Sequence, residues 1–266
     1  MRYPARPVLH AEWTKLRTLP TNTWLALATA GFTVAASVAV TWTVNTSRCP
    51  SPTECFEDTT KLALGGVWLG QVTVILLAVG MIGGEYGTGL IRATLAATPR
   101  RHTVLAAKAA VLAATVAAAG ALGVLGALLA GRFILPRNGF NAANGYPPLS
   151  LADPATLRAA AGTVLYLVLV GLLALGLATL VRSTAAAVTT VLSLLYVAPV
   201  LVGLVGDPLW HDRLERLAPM TAGLAIQATR NYEQLPIRPW AGLAMLTAWT
   251  AAALVAGGVL LARRDQ

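Results

Sequence analysis

The chain has 266 residues, of which 56% are hydrophobic and only 12% charged, with a mean hydropathy of +0.65. A soluble domain carries roughly 25% charged residues, so this composition excludes both an ordinary water-facing exterior and a disordered chain, and points to a bilayer. The net charge of +9 would suggest nucleic acid in a soluble protein, but here the basic residues flank apolar stretches, so the expected partner is membrane lipid and not nucleic acid.

Six stretches lack Asp, Glu, Lys and Arg altogether: residues 18–47, 62–84, 109–131, 159–181, 183–206 and 239–262. A bilayer core needs about 20 helical residues at roughly 1.5 Å each, and every stretch meets that length. The predicted architecture is an all-α membrane protein, a single transmembrane domain over residues 1–266, with spans near 22–44, 62–83, 104–131, 159–181, 184–205 and 240–262. If the N-terminus is cytoplasmic, the inner segments hold eleven basic residues and three acids, and the outer segments nine basic residues and eight acids. The positive-inside rule then places both termini in the cytoplasm.

Ahead of the first span, Pro7 and Pro20 bracket a segment in which Leu9, Trp13 and Leu16 recur at helical spacing while Glu12, Lys15 and Arg17 occupy other faces. The pattern predicts an amphipathic interfacial helix, with Trp13, Lys15 and Arg17 in the headgroup layer. A plain basic anchor before a span is the alternative. The first apolar stretch is too long for a cleaved secretory signal and is expected to remain as a signal anchor. Cys49 and Cys55 share the first outer loop, where an oxidising compartment permits a disulfide, with two free thiols as the alternative. A bridge closing so small a loop would contribute little to the fold.

In the second span Gly66 and Gly70 form a GxxxG pattern, and Gln71 is the main strongly polar side chain. Thr33, Ser37, Thr41, Thr189 and Ser193 add hydroxyls elsewhere. Interhelical hydrogen bonding is the favoured role for these groups over lining a pathway. After this span, Gly83, Gly84, Gly87 and Gly89 are expected to break the helix. Leu90, Ile91, Leu95 and Ala97 then outline a short half-apolar helix carrying Arg92, stopped by Pro99 and followed by Arg100 and Arg101. The alternative for these arginines is topological anchoring alone.

Residues 131–158 are rich in Pro, Asn and Gly and read as an irregular outer loop. Arg182, Ser183 and Thr184 leave room only for a tight turn between antiparallel spans four and five, where Ser183 or Thr184 can cap the fifth. Pro199 is expected to kink that span. Beyond the charged group Asp212, Arg213, Glu215 and Arg216 comes the uncharged run 217–229, too short to cross a bilayer and of the length of a re-entrant or interfacial element.

Several chemistries leave no trace. The chain contains no GxxxxGK[ST] phosphate loop, no HExxH and no GxSxG, and His10, His102 and His211 lie in separate segments. No catalytic residue, metal site or cofactor of the chain's own is therefore expected. Uncharged spans also disfavour a proton-coupled carrier, which needs an ionisable group within the membrane.

The segment EYGTGLIRATLAATPRR followed by LAAK, from Glu85 to Lys108, resembles the cytoplasmic segment of ABC-2 type transporter permeases, especially actinobacterial ones. AEWTKLRT before the first span, RSTAAAV entering the fifth and APMTAGLAIQAT in the last loop are similar to elements of this family at matching places. Gly87 departs from the pattern where relatives often carry a basic residue. The resemblance implies a bacterial cell-membrane permease subunit, pairing as a homodimer, with each copy resting on a separate ATP-binding subunit that holds the ATP and Mg. It implies that residues 90–97 form a coupling helix, that Glu85, Tyr86, Arg92, Arg100 and Arg101 serve the contact with that ATPase, and that 217–229 is an outer re-entrant element before span six. The implied activity is export of a hydrophobic or amphipathic compound such as a drug, peptide or lipid-like molecule. A non-transporting anchor or regulatory subunit of an ATPase or sensor complex is the alternative.

Overall fold

The computed structural model describes residues 5–48, 51, 57–87, 89–90 and 101–264. Among these residues the regular structure is entirely helical, with no strand. Six segments are long and apolar enough to cross a membrane: Pro20–Thr43, Val67–Gly87, Arg101–Asn138, Pro154–Val181, Thr184–Gly203 and Pro239–Arg263. This is a multi-pass, all-helical membrane protein. Six crossings return the chain to the side it started from, so one end of the bundle carries both termini and the other carries the long loops.

Helix α1 (Ala5–Thr18) is followed by α2 (Pro20–Thr43), whose proline sits in the first turn, where a missing N–H costs nothing. The short α3 (Thr59–Ala63) is capped by Asp58, which accepts from the Lys61 N–H. The chain then turns through residues 64–66 into α4 (Val67–Gly87). Helices α5 (Arg101–Ile134) and α6 (Pro154–Val181) follow, the latter capped by Asp153. Helix α6 lies at the centre, packed against α4, α5 and the last helix, α11 (Pro239–Arg264). Tyr166, Leu167, Val170 and Leu173 of α6 are fully buried against Val74 and Leu112 in the core.

Close helix contacts rest on small residues. A Cβ on Gly66 would lie 2.0 Å from the Thr33 carbonyl oxygen, and one on Gly70 would lie 2.0 Å from Thr33 Oγ1. The GxxxG pair therefore seats α2 and its polar stripe of Thr29, Thr33, Ser37 and Thr41, all buried. Most of these hydroxyls bond back to their own helix, Thr33 Oγ1 to the Thr29 carbonyl and Thr41 Oγ1 to that of Ser37. Two reach across: Thr29 Oγ1 meets Thr73 Oγ1 at 2.8 Å, and Ser37 Oγ accepts from the Gly66 N–H at 3.0 Å.

Several sequence expectations are corrected. The second span begins at Val67 and not at 62, because Asp58 nucleates a separate short helix first. Gly83 and Gly84 do not break α4, which continues to Gly87. Gly83 instead admits the start of the fifth span, since its Cβ would fall 2.5 Å from Thr184 Oγ1. The backbone leaves helical geometry at Gly89, whose φ of +72° suits glycine. The fifth span divides into α7 (Thr184–Leu192), a π-helical turn (Ser193–Val197) and α8 (Ala198–Gly203), with Pro199 opening the last piece. A proline ring crowds the carbonyl four residues back, and the wider turn before it makes room.

On α1 the stripe of Leu9, Trp13 and Leu16 divides. Glu12 and Leu16 are the buried positions, whereas Leu9 and Trp13 stay 44% and 41% exposed. Glu12 is drawn inward by its ion pair with Lys108 of α5. Finally, residues 217–229 divide between the end of an exposed amphipathic helix, α9 (Pro208–Leu217), and α10 (Pro219–Leu224) with a 3₁₀ turn (Ala225–Gln227). Met220, Ala222 and Ile226 are buried. Gly162 and Gly223 make the space, the first facing Ile226 and the second the Tyr166 ring.

Candidate functional site

Four charged side chains meet at the terminal end of the bundle, directly before the connection that joins α4 to α5. Lys108 comes from the third turn of α5, Glu85 from the last turn of α4, and Glu12 and Lys15 from α1. Lys108 Nζ donates to Glu12 Oε2 and Glu85 Oε1, both at 2.7 Å, and to the Met81 carbonyl at 3.3 Å. Those three acceptors satisfy the three N–H bonds of an ammonium. Lys15 Nζ donates to Glu12 Oε1 and Glu85 Oε1, both at 2.9 Å.

The group is two lysines and two carboxylates, so it carries no net charge. Side-chain exposure is 2% for Lys108 and 3% for Glu12, against 42% for Lys15. Lys108 is thus the buried hub and Lys15 the lid of the cluster on its water-accessible side. Burial works against the charge on Lys15, yet its hydrogen bonds to Glu85 and Glu12 and their negative charges outweigh that and hold its pKa above the ordinary 10.5. Mechanically the network pins α1 to the ends of α4 and α5. Any movement of α1 is therefore felt at both roots of the α4–α5 connection.

Other sequence-predicted site residues distribute around this cluster. Glu85 points into it. Tyr86 is half-buried, with the Arg182 guanidinium 5.4 Å over its ring, which ties the end of α4 to the turn between α6 and α7. Arg101 Nη1 donates to the carbonyls of Leu261 and Ala262 at 2.8 and 3.2 Å, closing the C-terminal end of α11. Trp13 and Arg17 are exposed on α1, while Lys15 joins the network. Arg92 and Arg100, with most of the expected coupling helix, lie outside the described residues, as do Cys49 and Cys55. Among the described residues, no three His, Cys, Asp or Glu side chains gather as metal ligands.

Glu12 and Lys108 were not singled out by sequence reading. A signal was available: Glu12 and Glu85 are two of only three acids assigned to that side of the membrane, and Lys108 is an isolated charge two turns into an otherwise apolar, alanine-rich helix. Each is expensive to bury alone, and together they explain one another.

A second polar cluster lies deeper, toward the loop end. Tyr166 Oη donates to Gln71 Oε1, and Gln71 Nε2 reaches Met220 Sδ at 3.5 Å, which joins α4, α6 and α10. Tyr196, in the π turn, donates to the Trp68 carbonyl and meets the Trp68 ring edge-on. Beyond it, Asp58 clasps the chain after α10, accepting from the Thr229 N–H, from Thr229 Oγ1 at 2.7 Å and from the Arg230 N–H at 3.1 Å. Of the groups the sequence assigned to interhelical hydrogen bonds, Gln71 and Ser37 make them, whereas Thr33, Thr41 and Thr189 bond back to their own helices.

No protein-family model matches the chain, and no curated protein matches it either.

Proposed function

We propose that the chain is the membrane-spanning permease subunit of an ATP-driven ABC transporter of the ABC-2 type, exporting a hydrophobic or amphipathic compound with a separate ATP-binding subunit. The observation that carries this reading is the ionic tie of α1 to the ends of α4 and α5, at the root of the 88–100 connection. An export subunit powered from outside needs a rigid element through which a partner's motion reaches the spans. Helix α1 has that form: an amphipathic helix on the cytoplasmic face, locked to the two spans that a basic stretch of sequence with Arg92 and Arg100 connects. Supporting features are the buried, non-spanning segment at Pro219–Gln227 before the sixth span, read as the outer re-entrant element, and the absence of a phosphate loop from the sequence.

In this reading both termini are cytoplasmic in a bacterial cell membrane, two copies pair as a homodimer, and ATP and Mg belong to the partner subunits. Closure of those subunits drives the coupling segments, and the network passes the motion to α4 and α5. The test is affinity purification of the full chain from its host in mild detergent, with wild type and Arg92→Glu/Arg100→Glu compared. Arg101 is left intact because it closes α11. The expected result is a P-loop ATPase recovered in equal amount with wild type and lost from the double variant, which still inserts. A wild-type preparation without an ATPase overturns the proposal. The anchor or regulatory alternative predicts copurification as well, but ATP turnover that moves no solute in reconstituted vesicles.

A further inference from the structure

At the loop end, where α6 and α11 begin, a cavity of about 560 Å³ is lined by Arg158, Tyr232, Glu233, Arg238, Pro239 and Trp240. Its volume lies within the range of small-molecule sites, roughly 300–1,000 Å³. Its chemistry is lopsided: two guanidinium groups against one carboxylate. Arg158 uses Nη2 for both of its protein hydrogen bonds, to the Ala228 carbonyl and to Tyr232 Oη, with its guanidinium 5.2 Å over the Tyr232 ring. Its Nε is buried without a hydrogen-bond partner. The guanidinium is therefore held rigidly in place, and while Nε is closed off from the cavity, Nη1 donates to no protein group among the described residues. Arg238 stands exposed at the start of α11 and makes no ion pair among the described residues.

The position specifies the surroundings of a ligand. Both spans begin here, Pro154 opening α6 and Pro239 opening α11, so the cavity sits at the level where a span leaves the hydrocarbon. Trp240 is 61% exposed beside it, as suits an aromatic side chain at a membrane interface. A planar guanidinium pair matches phosphate oxygens, and apolar α11 surface below it matches an acyl chain.

We infer that this cavity binds the phosphate headgroup of an anionic phospholipid from the leaflet at the loop end, with Arg158 and Arg238 on the phosphate and Trp240 against the glycerol and upper acyl chain. Glu233 at the same rim sets the site against a bare dianion in free solution. The inference does not rest on the export reading, since it needs only the two helix starts and the loop that joins them.

The test is native mass spectrometry of the full chain released from detergent, titrated with dioleoylphosphatidylglycerol, with dioleoylphosphatidylcholine or with inorganic phosphate alone. Wild type is expected to retain phosphatidylglycerol in preference to phosphatidylcholine and to show no adduct with inorganic phosphate. Arg238→Gln, an exposed change, should weaken phosphatidylglycerol retention about fivefold and leave phosphatidylcholine unchanged. Arg158→Lys keeps the charge but loses the planar fork and should weaken it as well. Equal retention of the two lipids by wild type, phosphatidylglycerol binding unaffected in Arg238→Gln, or an adduct with inorganic phosphate but not with lipid would each overturn the inference.

Discussion

Lys108 concentrates the electrostatic risk of this molecule in one atom. Its ammonium is buried and is shared by two carboxylates that also share Lys15. Lys108→Met leaves two buried carboxylates with a single, partly exposed cation, and breaking a buried pair on one side costs about 3–5 kcal/mol. The expected outcome is a clear fall in the thermal unfolding midpoint of the detergent-purified chain. Adding Glu85→Gln restores neutrality, because Glu12 and Lys15 remain as a pair, and should recover roughly half or more of that loss; a double variant no better than the single would show that packing, not charge balance, governs the site. Lys15 provides the pH signature. Its folded pKa is raised, so the stability it adds is complete below about 10.5 and is lost as pH climbs through the raised value. The midpoint difference between wild type and Lys15→Met should stay level through neutral pH and narrow only in strong alkali. Sequence reading located Glu85 and Lys15 but gave them outward roles, since pattern analysis treats a charge beside a span as an anchor. Recognising the network needs the folded neighbourhood, because its members are 70 and 96 residues apart along the chain.

At the scale of elements, the glycines divide by what they face. Gly66 lies against the α2 backbone, whereas Gly80 in α4 has nothing within 4 Å of where a Cβ would stand. Gly66→Ala must push two helices apart and should cost about 1–3 kcal/mol, the usual range for overpacking. Gly80→Ala faces no clash and removes the flexibility of an interior helical glycine, so it should be neutral or stabilising by up to about 1 kcal/mol. Thermal midpoints of the two single variants, measured side by side, test the contrast; similar losses in both would mean that α4 does not sit on α2 as described. Six spans were legible because hydropathy over 20 or more residues is a one-dimensional signal. The continuation of α4 through Gly83 and Gly84, and the π turn before Pro199, were not, because each depends on what a neighbouring helix places against that backbone. On α1 the stripe of Leu9, Trp13 and Leu16 was legible, but not that Leu16 packs inward while Leu9 and Trp13 stay exposed, nor that Glu12 on another face meets the cluster beneath the helix.

Over the whole molecule, two different fastenings hold the two ends. The terminal end is fixed by ion pairs among α1, α4 and α5, while at the loop end the carboxylate of Asp58 accepts three hydrogen bonds from Thr229 and Arg230 and caps α3, beside the Arg158 Nη2 bond to the Ala228 carbonyl. Between them, Gln71 and Tyr166 connect α10 to the central helix. A segment anchored at its exit by two side chains, Asp58 and Arg158, can be released without dismantling the bundle, whereas the terminal network cannot give way at one atom without exposing buried charge. Asp58→Ala removes charge-assisted bonds worth about 1.5–3 kcal/mol each before compensation by water. Its expected effect is local: faster amide hydrogen exchange in peptides spanning residues 219–230 and in α3, with α4 and α6 as protected as in wild type. Exchange rising evenly through the six spans would show instead that Asp58 supports the whole fold. Unchanged exchange at 219–230 would show that the Arg158, Tyr166 and Gln71 contacts retain the segment without Asp58. The expected local pattern would mean that the segment at the loop end opens without disturbing the terminal network, so that the two ends of the bundle are separate cooperative units.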